Sequence, residues 1–317
     1  MPTQLYPWGL TSDLLQVAHQ KNIRYVLAKL SLLIFIWAMS GFLIVMTDSV
    51  FIKIILWFVL GYFINGIIQL VHESWHNNLF NQRWANRLTG HILSFLFFVL
   101  YAPSRHGHML HHRYNRTDKD PDAYNAGSKS WHLTLLYYGV LFFGVPLAII
   151  HFNILYPLQF YKRNQLAGHF LQLTILVAAQ AVLWTVIIKS SLFSIAWQVW
   201  LMPVLFASPW NGLKSVADHF QNKWQGNPFN TATTVTSNGL TTYFWNGLNY
   251  HLEHHLFPAV PGYHLATLHP HLNELYKQNN SPVFSSYMKV WINAISRGPE
   301  LVTREGEFNP FHFNTEK

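Results

Sequence analysis

The chain alternates long apolar runs with polar, basic stretches. Leu30 to Met46 is a run of 17 residues dominated by Leu, Ile, Phe, Trp and Val, preceded by Lys21, Arg24 and Lys29. A short link containing Asp48 leads into Val50 to Val71, 22 residues long, with Lys53 near its start and Asn65 and Gln69 near its end. A membrane helix needs about 20 apolar residues, so these two runs predict a membrane hairpin, with Lys53 reaching back to the outer interface. Ile92 to Ala102 is too short to cross and predicts a buried or re-entrant segment. Three more runs follow: His132 to Phe152, Leu166 to Ile188 and Leu192 to Trp210. Gly139, Gly144 and Pro146 interrupt the first and His132 and His151 bracket it, which predicts an interfacial helix. The other two predict a second hairpin whose outer turn holds only Lys189. The expected fold class is therefore all-α integral membrane. Four transmembrane helices (30–46, 50–71, 166–188, 192–210) form two hairpins, and a helical cap is built from 72–165 and 211–317. No linker divides the chain, so 1–317 reads as one domain.

Composition agrees with the membrane reading. Apolar residues make up 50% and charged residues only 11%, against about 25% charged in an ordinary soluble domain. The net charge of +8 is concentrated where a cytoplasmic face is expected. Asn81 to Lys129 carries Arg83, Arg87, Arg105, Arg113, Arg116, Lys119 and Lys129 against Asp118, Asp120 and Asp122, the bias that places a segment on the inside. Both termini are expected on that side, and the first 24 residues lack the apolar core of a signal peptide. No phosphate loop or nucleic-acid motif gives the positive charge another purpose. Cysteine is absent, which excludes disulfides, iron–sulfur clusters, thiolate zinc sites and cysteine nucleophiles.

The chemistry lies in histidine, of which there are 19. Asn249 to Pro258 reads Asn-Tyr-His-Leu-Glu-His-His-Leu-Phe-Pro and holds His251, His254 and His255. On a helix, residues three and four apart share a face, whereas adjacent imidazoles diverge by about 100°. The two neighbours thus suit two neighbouring metals, or two different roles, better than one tight chelate. His108, His111 and His112 repeat the same H-x-x-H-H spacing, His72 and His76 stand four apart, and His219 is isolated in Ala-Asp-His-Phe. If the histidines before and after the later apolar runs meet, the chain crosses the membrane an even number of times between them. That parity is why one of the three runs is assigned to the interface. Nine histidines exceed the six ligands of an octahedral ion, so two metals are implied, although imidazole suits zinc, copper, iron and nickel alike. Asp218, Glu253, Asp118, Asp120 and Asp122 are placed to accept from ligand imidazoles. His19, His91, His132, His151, His169, His264, His269, His271 and His312 read as packing residues. His106 offers a second register beside His108.

The order H-x-x-x-H, H-x-x-H-H, isolated His, H-x-x-H-H, with two hairpins and a closing His-His-Leu-Phe-Pro-x-x-Pro, resembles the membrane fatty acid desaturase and hydroxylase family over roughly Leu30 to Leu272. The segment from Asn249 to Pro258 is similar to the version in bacterial acyl desaturases. The resemblance implies a non-haem di-iron centre that activates molecular oxygen and removes hydrogen from an unactivated carbon. Carried over residue by residue, His72, His76, His108, His111, His112, His219, His251, His254 and His255 are the implied iron ligands. In some members an Asn four residues before the isolated histidine completes a metal shell through water. Ser215 holds that place here, which leaves a tenth contact without its usual residue.

The implied reaction desaturates a fatty acyl chain linked to a lipid, to coenzyme A or to an acyl carrier protein. Hydroxylation, ketone formation or acetylene formation on a lipid or carotenoid would use the same boxes. With no cysteine for an iron–sulfur centre and no His-Pro-Gly-Gly segment of a fused cytochrome b5, electrons must come from a separate ferredoxin-type or cytochrome b5-type donor. His72-Glu73-Ser74-Trp75-His76 also matches the H-E-x-x-H zinc protease pattern, but that reading leaves both H-x-x-H-H boxes and His219 unexplained. A metal carrier or haem protein would place its histidines facing one another inside spans rather than at span ends.

Overall fold

The computed structural model describes residues 7–117, 119–122, 131–220 and 222–298. Asp118, Lys129, His312 and the side chain of His132 lie outside the described residues. In chain order the helices are α1 (Ser12–Ala18), α2 (Ile23–Met46), α3 (Val50–Trp75), α4 (Arg83–Leu96), α5 (Tyr101–Tyr114) and α6 (Trp131–Ile150). They continue with α7 (Tyr156–Phe160), α8 (Arg163–Lys189), α9 (Phe193–Ala196) and α10 (Met202–Asp218). The last four are α11 (Gly239–Phe244), α12 (His251–Leu256), α13 (Gly262–Asn279) and α14 (Tyr287–Arg297). The fold is all-helical except for one two-residue parallel pair, Thr234–Val235 with Val283–Phe284. A π-helical turn, His151–Leu155, joins α6 to α7, and another, Trp197–Leu201, joins α9 to α10.

Four helices are long and apolar enough to cross a membrane: Ile23–Met46, Val50–Trp75, Thr134–Phe160 and Arg163–Lys189. The protein is a multi-pass membrane protein whose additional helices, together with the end of α3, carry the clustered histidines. Three of these helices contain the expected spans at 30–46, 50–71 and 166–188. The fourth is Thr134–Phe160, where the sequence pattern predicts an interfacial helix. Its glycines do not interrupt the helix, and the non-helical backbone at Phe143, three residues before Pro146, is absorbed as a kink. The expected span 192–210 falls in the helical rod Phe193–Asp218, which is not among the four because Gln198, Pro203, Ser208 and Pro209 dilute its apolar character.

Packing explains why that rod is nevertheless central. It lies between α3 and α6, held by small residues that let backbones approach. A Cβ at Gly61 would sit 2.5 Å from the Phe206 carbonyl oxygen, and one at Gly212 would collide with the carbonyl oxygens of Val140 and Leu141. Near Trp197–Leu201 the Gln198 and Val199 carbonyls accept from the indoles of Trp57 (2.8 Å) and Trp37 (2.7 Å). Lys53, near the start of α3, donates to Gln198 Oε1 at 2.5 Å and ties α3 to the rod. Gly212→Ala is therefore expected to lower thermal stability by about 1–3 kcal/mol. Gly168→Ala, on α8 with nothing within 4 Å of the added methyl, should be neutral or stabilising by up to about 1 kcal/mol. Melting both variants in detergent checks the pair.

The short run Ile92 to Ala102 forms the bottom of a helix–turn–helix. α4 ends at Leu96, Phe98 turns at a φ of 60°, and α5 starts at Tyr101. Backbone groups freed at this turn need partners where water is scarce. The Phe95 and Leu96 carbonyls accept from Gln180 and Trp200 (2.9 Å each), and Asn153 bonds the Phe98 carbonyl at 2.7 Å and the Leu100 N–H at 2.8 Å. The turn is thereby fixed to α8, to the rod and to the bend after α6, and α5 is aimed back toward the end of α3.

Candidate metal centre

Each histidine box is displayed by a helix whose periodicity decides where its imidazoles point. His72 lies in the last turn of α3 and His76 caps it, one above the other. On α5, His108 and His112 are four apart and share one face, while His111 is rotated about 100° away. On α12 the same division separates His251 and His255 from His254. The structure brings all nine together in two groups: His72, His76, His108, His112 and His254 in one, and His111, His219, His251 and His255 in the other. Within each group one ring nitrogen per residue lies within 4.8 Å of the others. In both H-x-x-H-H boxes the adjacent pair is divided, one imidazole to each group.

The spacings test whether a metal fits. His76 Nε2 is 2.8 Å from His108 Nε2, His108 and His254 Nε2 are each 3.0 Å from His112 Nε2, and His255 Nε2 is 3.1 Å from His251 Nε2. Two nitrogens bound at a right angle to an ion about 2.1 Å away lie ~3.0 Å apart, whereas a tetrahedral edge would be ~3.4 Å. The observed edges fit the right angle. A set of five imidazoles also exceeds the four ligands of a structural zinc. Both ring nitrogens of His72 are buried without a protein hydrogen-bond partner, a costly condition unless a ligand meets the inward-facing one.

Electrostatics keeps these rings neutral. Burial first, then the positive charge of Arg105 and His111, holds His76 down to about 3. Burial and neighbouring histidines hold His108, His112, His219, His251, His254 and His255 well below the usual range. His111 is the exception. Burial opposes its charge, but the Asp120 carboxylate and its hydrogen bond outweigh that and raise it. Asp120 Oδ1 meets His111 Nδ1 at 2.9 Å, and Oδ2 accepts from the Arg116 N–H at 2.8 Å. A carboxylate on Nδ1 fixes the tautomer and leaves Nε2 for a metal. His219 Nδ1 is likewise 3.0 Å from the Thr231 carbonyl oxygen.

The other expected acceptors sit differently. Asp218 Oδ2 accepts from Lys214 Nζ at 2.6 Å and lies 3.7 Å from His251 Nδ1, near that ring but beyond hydrogen-bond length. Asp122 gives its N–H to Asp120 Oδ1 at 2.9 Å, so Asp120 is the acid that meets a histidine of the cluster. Ser215 is half-buried on α10. Glu253 bonds none of the nine: its buried carboxylate accepts from Thr234 Oγ1, from His269 Nδ1 and from Tyr276 OH (2.8 Å). It fastens α12 to α13 and to the Thr234 strand. His269, read as a packing residue, thus supports the second box, and nothing in its local sequence marks it. Among the remaining histidines, His106 turns away from the cluster to the Tyr156 hydroxyl (2.7 Å), and His169 bonds the Asn153 carbonyl (2.9 Å). Glu73 Oε2 accepts from the Gly262 N–H at 2.7 Å, and His72 and His76 are shared with three further histidines. The H-E-x-x-H protease reading needs a zinc held by three protein ligands, whereas His72 and His76 here belong to a group of five histidines.

Comparison with known proteins bears on the same residues. The sequence profile described as "Fatty acid desaturase" matches residues 49–287. An sn-1 acyl-lipid omega-3 desaturase (ferredoxin) of Nostoc sp. (strain 36) is 23% identical over 87% of this chain and 82% of its own length. An sn-1 oleoyl-lipid 12-desaturase of Anabaena variabilis is 23% identical over 71% and 69%. A fatty acid conjugase of Calendula officinalis is 23% identical over 71% and 70%. The matched profile runs from the start of α3 to the start of α14 and so encloses all nine clustered histidines, which makes this chain a member of the fatty acid desaturase family and a membrane oxidoreductase.

Proposed function

We propose that the protein is an oxygen-dependent desaturase that introduces a double bond into a fatty acyl chain carried by a membrane lipid, using two iron ions held by the nine histidines. The two-group histidine cluster carries this reading, because one group of five imidazoles with right-angled nitrogen edges exceeds a four-coordinate zinc and a second group of four lies beside it. The lipid-linked substrate is supported by the names of the Nostoc and Anabaena relatives. In the overall reaction the acyl chain loses two hydrogens. Oxygen, with two electrons and two protons from outside, leaves as two waters. Iron supplies the oxygen chemistry. The chain supplies the neutral imidazoles, the tautomer at His111 through Asp120, and a buried setting that excludes water. The donor is a separate protein of the ferredoxin type, as the Nostoc relative's name supports.

The proposed topology is supported by the same cluster. Histidines before and after α6, α8 and the Phe193–Asp218 rod lie in common groups, so an even number of these three cross. Tyr137 and Tyr138 at one end of the Trp131–Phe160 rod donate to the Ala294 and Ile295 carbonyls of α14, and Tyr156 near its other end bonds His106. These contacts support placing both ends on the histidine side. In the proposed arrangement α2 with α3, and α8 with the Phe193–Asp218 rod, are the crossing hairpins. The histidines and both termini then face the cytoplasm, where Arg and Lys are enriched.

Expression in a lipid-defined host, with mass spectrometry of total fatty acids, tests the reaction. New chains two mass units lighter are expected, together with two irons per purified protein. Hydroxy or keto products would move the activity to the oxygen-inserting branch. Conjugated or acetylenic products would place it with enzymes acting on an existing double bond, an outcome the Calendula conjugase relative makes worth measuring. One zinc and no iron would overturn the oxygenase reading.

A further inference from the structure

A recess of about 380 Å³ opens beside the start of α2, outside the histidine cluster. Four tyrosines from separate segments line it: Tyr25 in the first turn of α2, Tyr243 on α11, Tyr250 just before α12 and Tyr263 at the start of α13. Tyr25 is the hub, with its ring centroid 4.5 Å from that of Tyr263 and 6.0 Å from that of Tyr243. Tyrosine is common at a membrane surface, but a simple aromatic belt would not bring four rings from four segments around one space. The level of the recess follows from α2, a helix long and apolar enough to cross, whose first turn carries Tyr25. Leu240, next to Gly239 of the lining, leaves its apolar side chain 59% exposed. The recess thus lies at the end of a membrane helix, where the head group of a bilayer lipid stands.

The chemistry of the lining selects among head groups. Among the described residues the lining holds no Asp, Glu, Lys or Arg, so neither a phosphate nor an ammonium finds an opposite charge there. A quaternary ammonium could use the tyrosine faces instead. The buried Lys29 ammonium already lies over two of them, 4.7 Å from the Tyr25 centroid and 4.5 Å from the Tyr243 centroid, and a second cation at the same rings would meet its charge. Neutral groups remain. Among the described residues the Tyr263 hydroxyl is engaged within the protein, accepting from the Asn22 N–H at 2.8 Å and donating to the Gln20 carbonyl at 3.4 Å. The hydroxyls of Tyr25, Tyr243 and Tyr250 have no hydrogen-bond partner there. Each can both donate and accept, which matches the hydroxyls of a sugar, while the ring faces cover its C–H groups.

The recess is also tied to the second H-x-x-H-H box. The Asn249 amide nitrogen, two residues before His251, donates to the Val235 carbonyl at 2.9 Å, the Thr236 carbonyl at 3.3 Å and the Thr242 hydroxyl at 3.2 Å. Thr236 and Thr242 both belong to the lining, so a molecule held there keeps a fixed position relative to α12. We propose that this recess binds the neutral, hydroxyl-rich head group of a glycosyl lipid whose acyl chain is the substrate. The inference rests on the lipid-linked reading above and adds the class of head group.

The test uses full-length, metal-loaded protein in nanodiscs. The probes are monoglucosyl diacylglycerol, phosphatidylcholine and phosphatidylglycerol with identical acyl chains, and methyl glucoside in solution. Retained lipid is read by native mass spectrometry and product by fatty acid analysis. The wild type is expected to retain the glucosyl lipid about tenfold over either phospholipid, the effect of one or two hydrogen bonds between neutral groups. Tyr243→Phe combined with Tyr250→Phe deletes two hydroxyls while keeping the rings, including the one beneath Lys29. That variant is expected to lose the preference, with phospholipid retention and melting point unchanged. No preference in the wild type, a preference for phosphatidylcholine, or a preference for the glucosyl lipid that survives in the double variant would overturn the inference. Methyl glucoside bound as tightly as the glucosyl lipid would assign the recess to a free sugar and overturn the lipid assignment. Selective retention of the glucosyl lipid with no product from any lipid would overturn the desaturase reading. Equal product from all three lipids without selective retention would overturn the head-group site alone.

Discussion

His108→Ala is expected to reduce turnover by more than about 100-fold and to lower metal content from the proposed two ions per chain to about one. His108 Nε2 stands 2.8 Å from His76 Nε2 and 3.0 Å from His112 Nε2, so its removal deletes two edges of the five-histidine group at once. Water can enter the gap but cannot supply an imidazole held rigid by a helix. Losing an outer partner of a metal ligand typically costs 10–100-fold, and loss of the ligand itself should exceed that, about 2.7 kcal/mol or more. The His111 group should keep its ion. His106→Ala is the control, two residues away in sequence: its ring bonds the Tyr156 hydroxyl and belongs to neither group. Near-wild-type metal content is expected there, with activity within about threefold, an effect typical of substitutions away from special features. Metal analysis and product yield on both variants decide the matter. Equal losses would show that the register of this box has been misassigned.

The second large effect is expected from Glu253, which touches none of the nine histidines. Its carboxylate collects donors from Thr234, His269 and Tyr276 and is fully buried. Burial and the Glu253 charge push the Tyr276 hydroxyl well above its usual range, so it remains a donor. Glu253→Ala strands three donors, each costing about 1–3 kcal/mol when left unsatisfied in the interior. Allowing for shared relaxation, a loss of ~3–5 kcal/mol is expected, or a melting point lower by roughly 10 °C. Because α12 carries His251, His254 and His255, both metal groups should lose occupancy together. Glu253→Gln keeps one carbonyl acceptor and should fall between. Calorimetry of the metal-free proteins separates this scaffold role from a direct metal contact: a ligand would leave metal-free stability unchanged, and a scaffold would not.

These two residues also show what could be read along the chain. His108 was identifiable because a helix repeats every 3.6 residues, and H-x-x-H-H can only send its adjacent imidazoles in different directions. Glu253 lies inside the same motif and was expected to serve a ligand imidazole, yet its partners come from a strand and from two turns of α13. Asp120 and Asp122 are equivalent by sequence, and only the turn after α5 puts Asp120 on His111. Lys29 shows the same limit at the membrane. In sequence it flanks a span and reads as an inside marker, whereas in the fold it is buried, with Nζ 2.8 Å from Asn246 Oδ1 and over the rings of Tyr25 and Tyr243. α2 accordingly begins at Ile23 rather than at residue 30.

The sequence by itself determined the membrane class, three of the four long apolar helices and the nine histidines that cluster, and it led to the expectation of two metals. Each of these depends on composition, run length or helical period, which are properties of neighbouring residues. Which histidines share a group, which acid orients one of them, which buried carboxylate holds the second box and which apolar helices pack side by side were decided by the tertiary structure. Those are contacts between segments far apart in the chain, and they form only because α3, α5 and α12 end at one place. A hydrogen bond or a metal edge is set by distances of a few tenths of an ångström, and local pattern carries no such distances between remote segments.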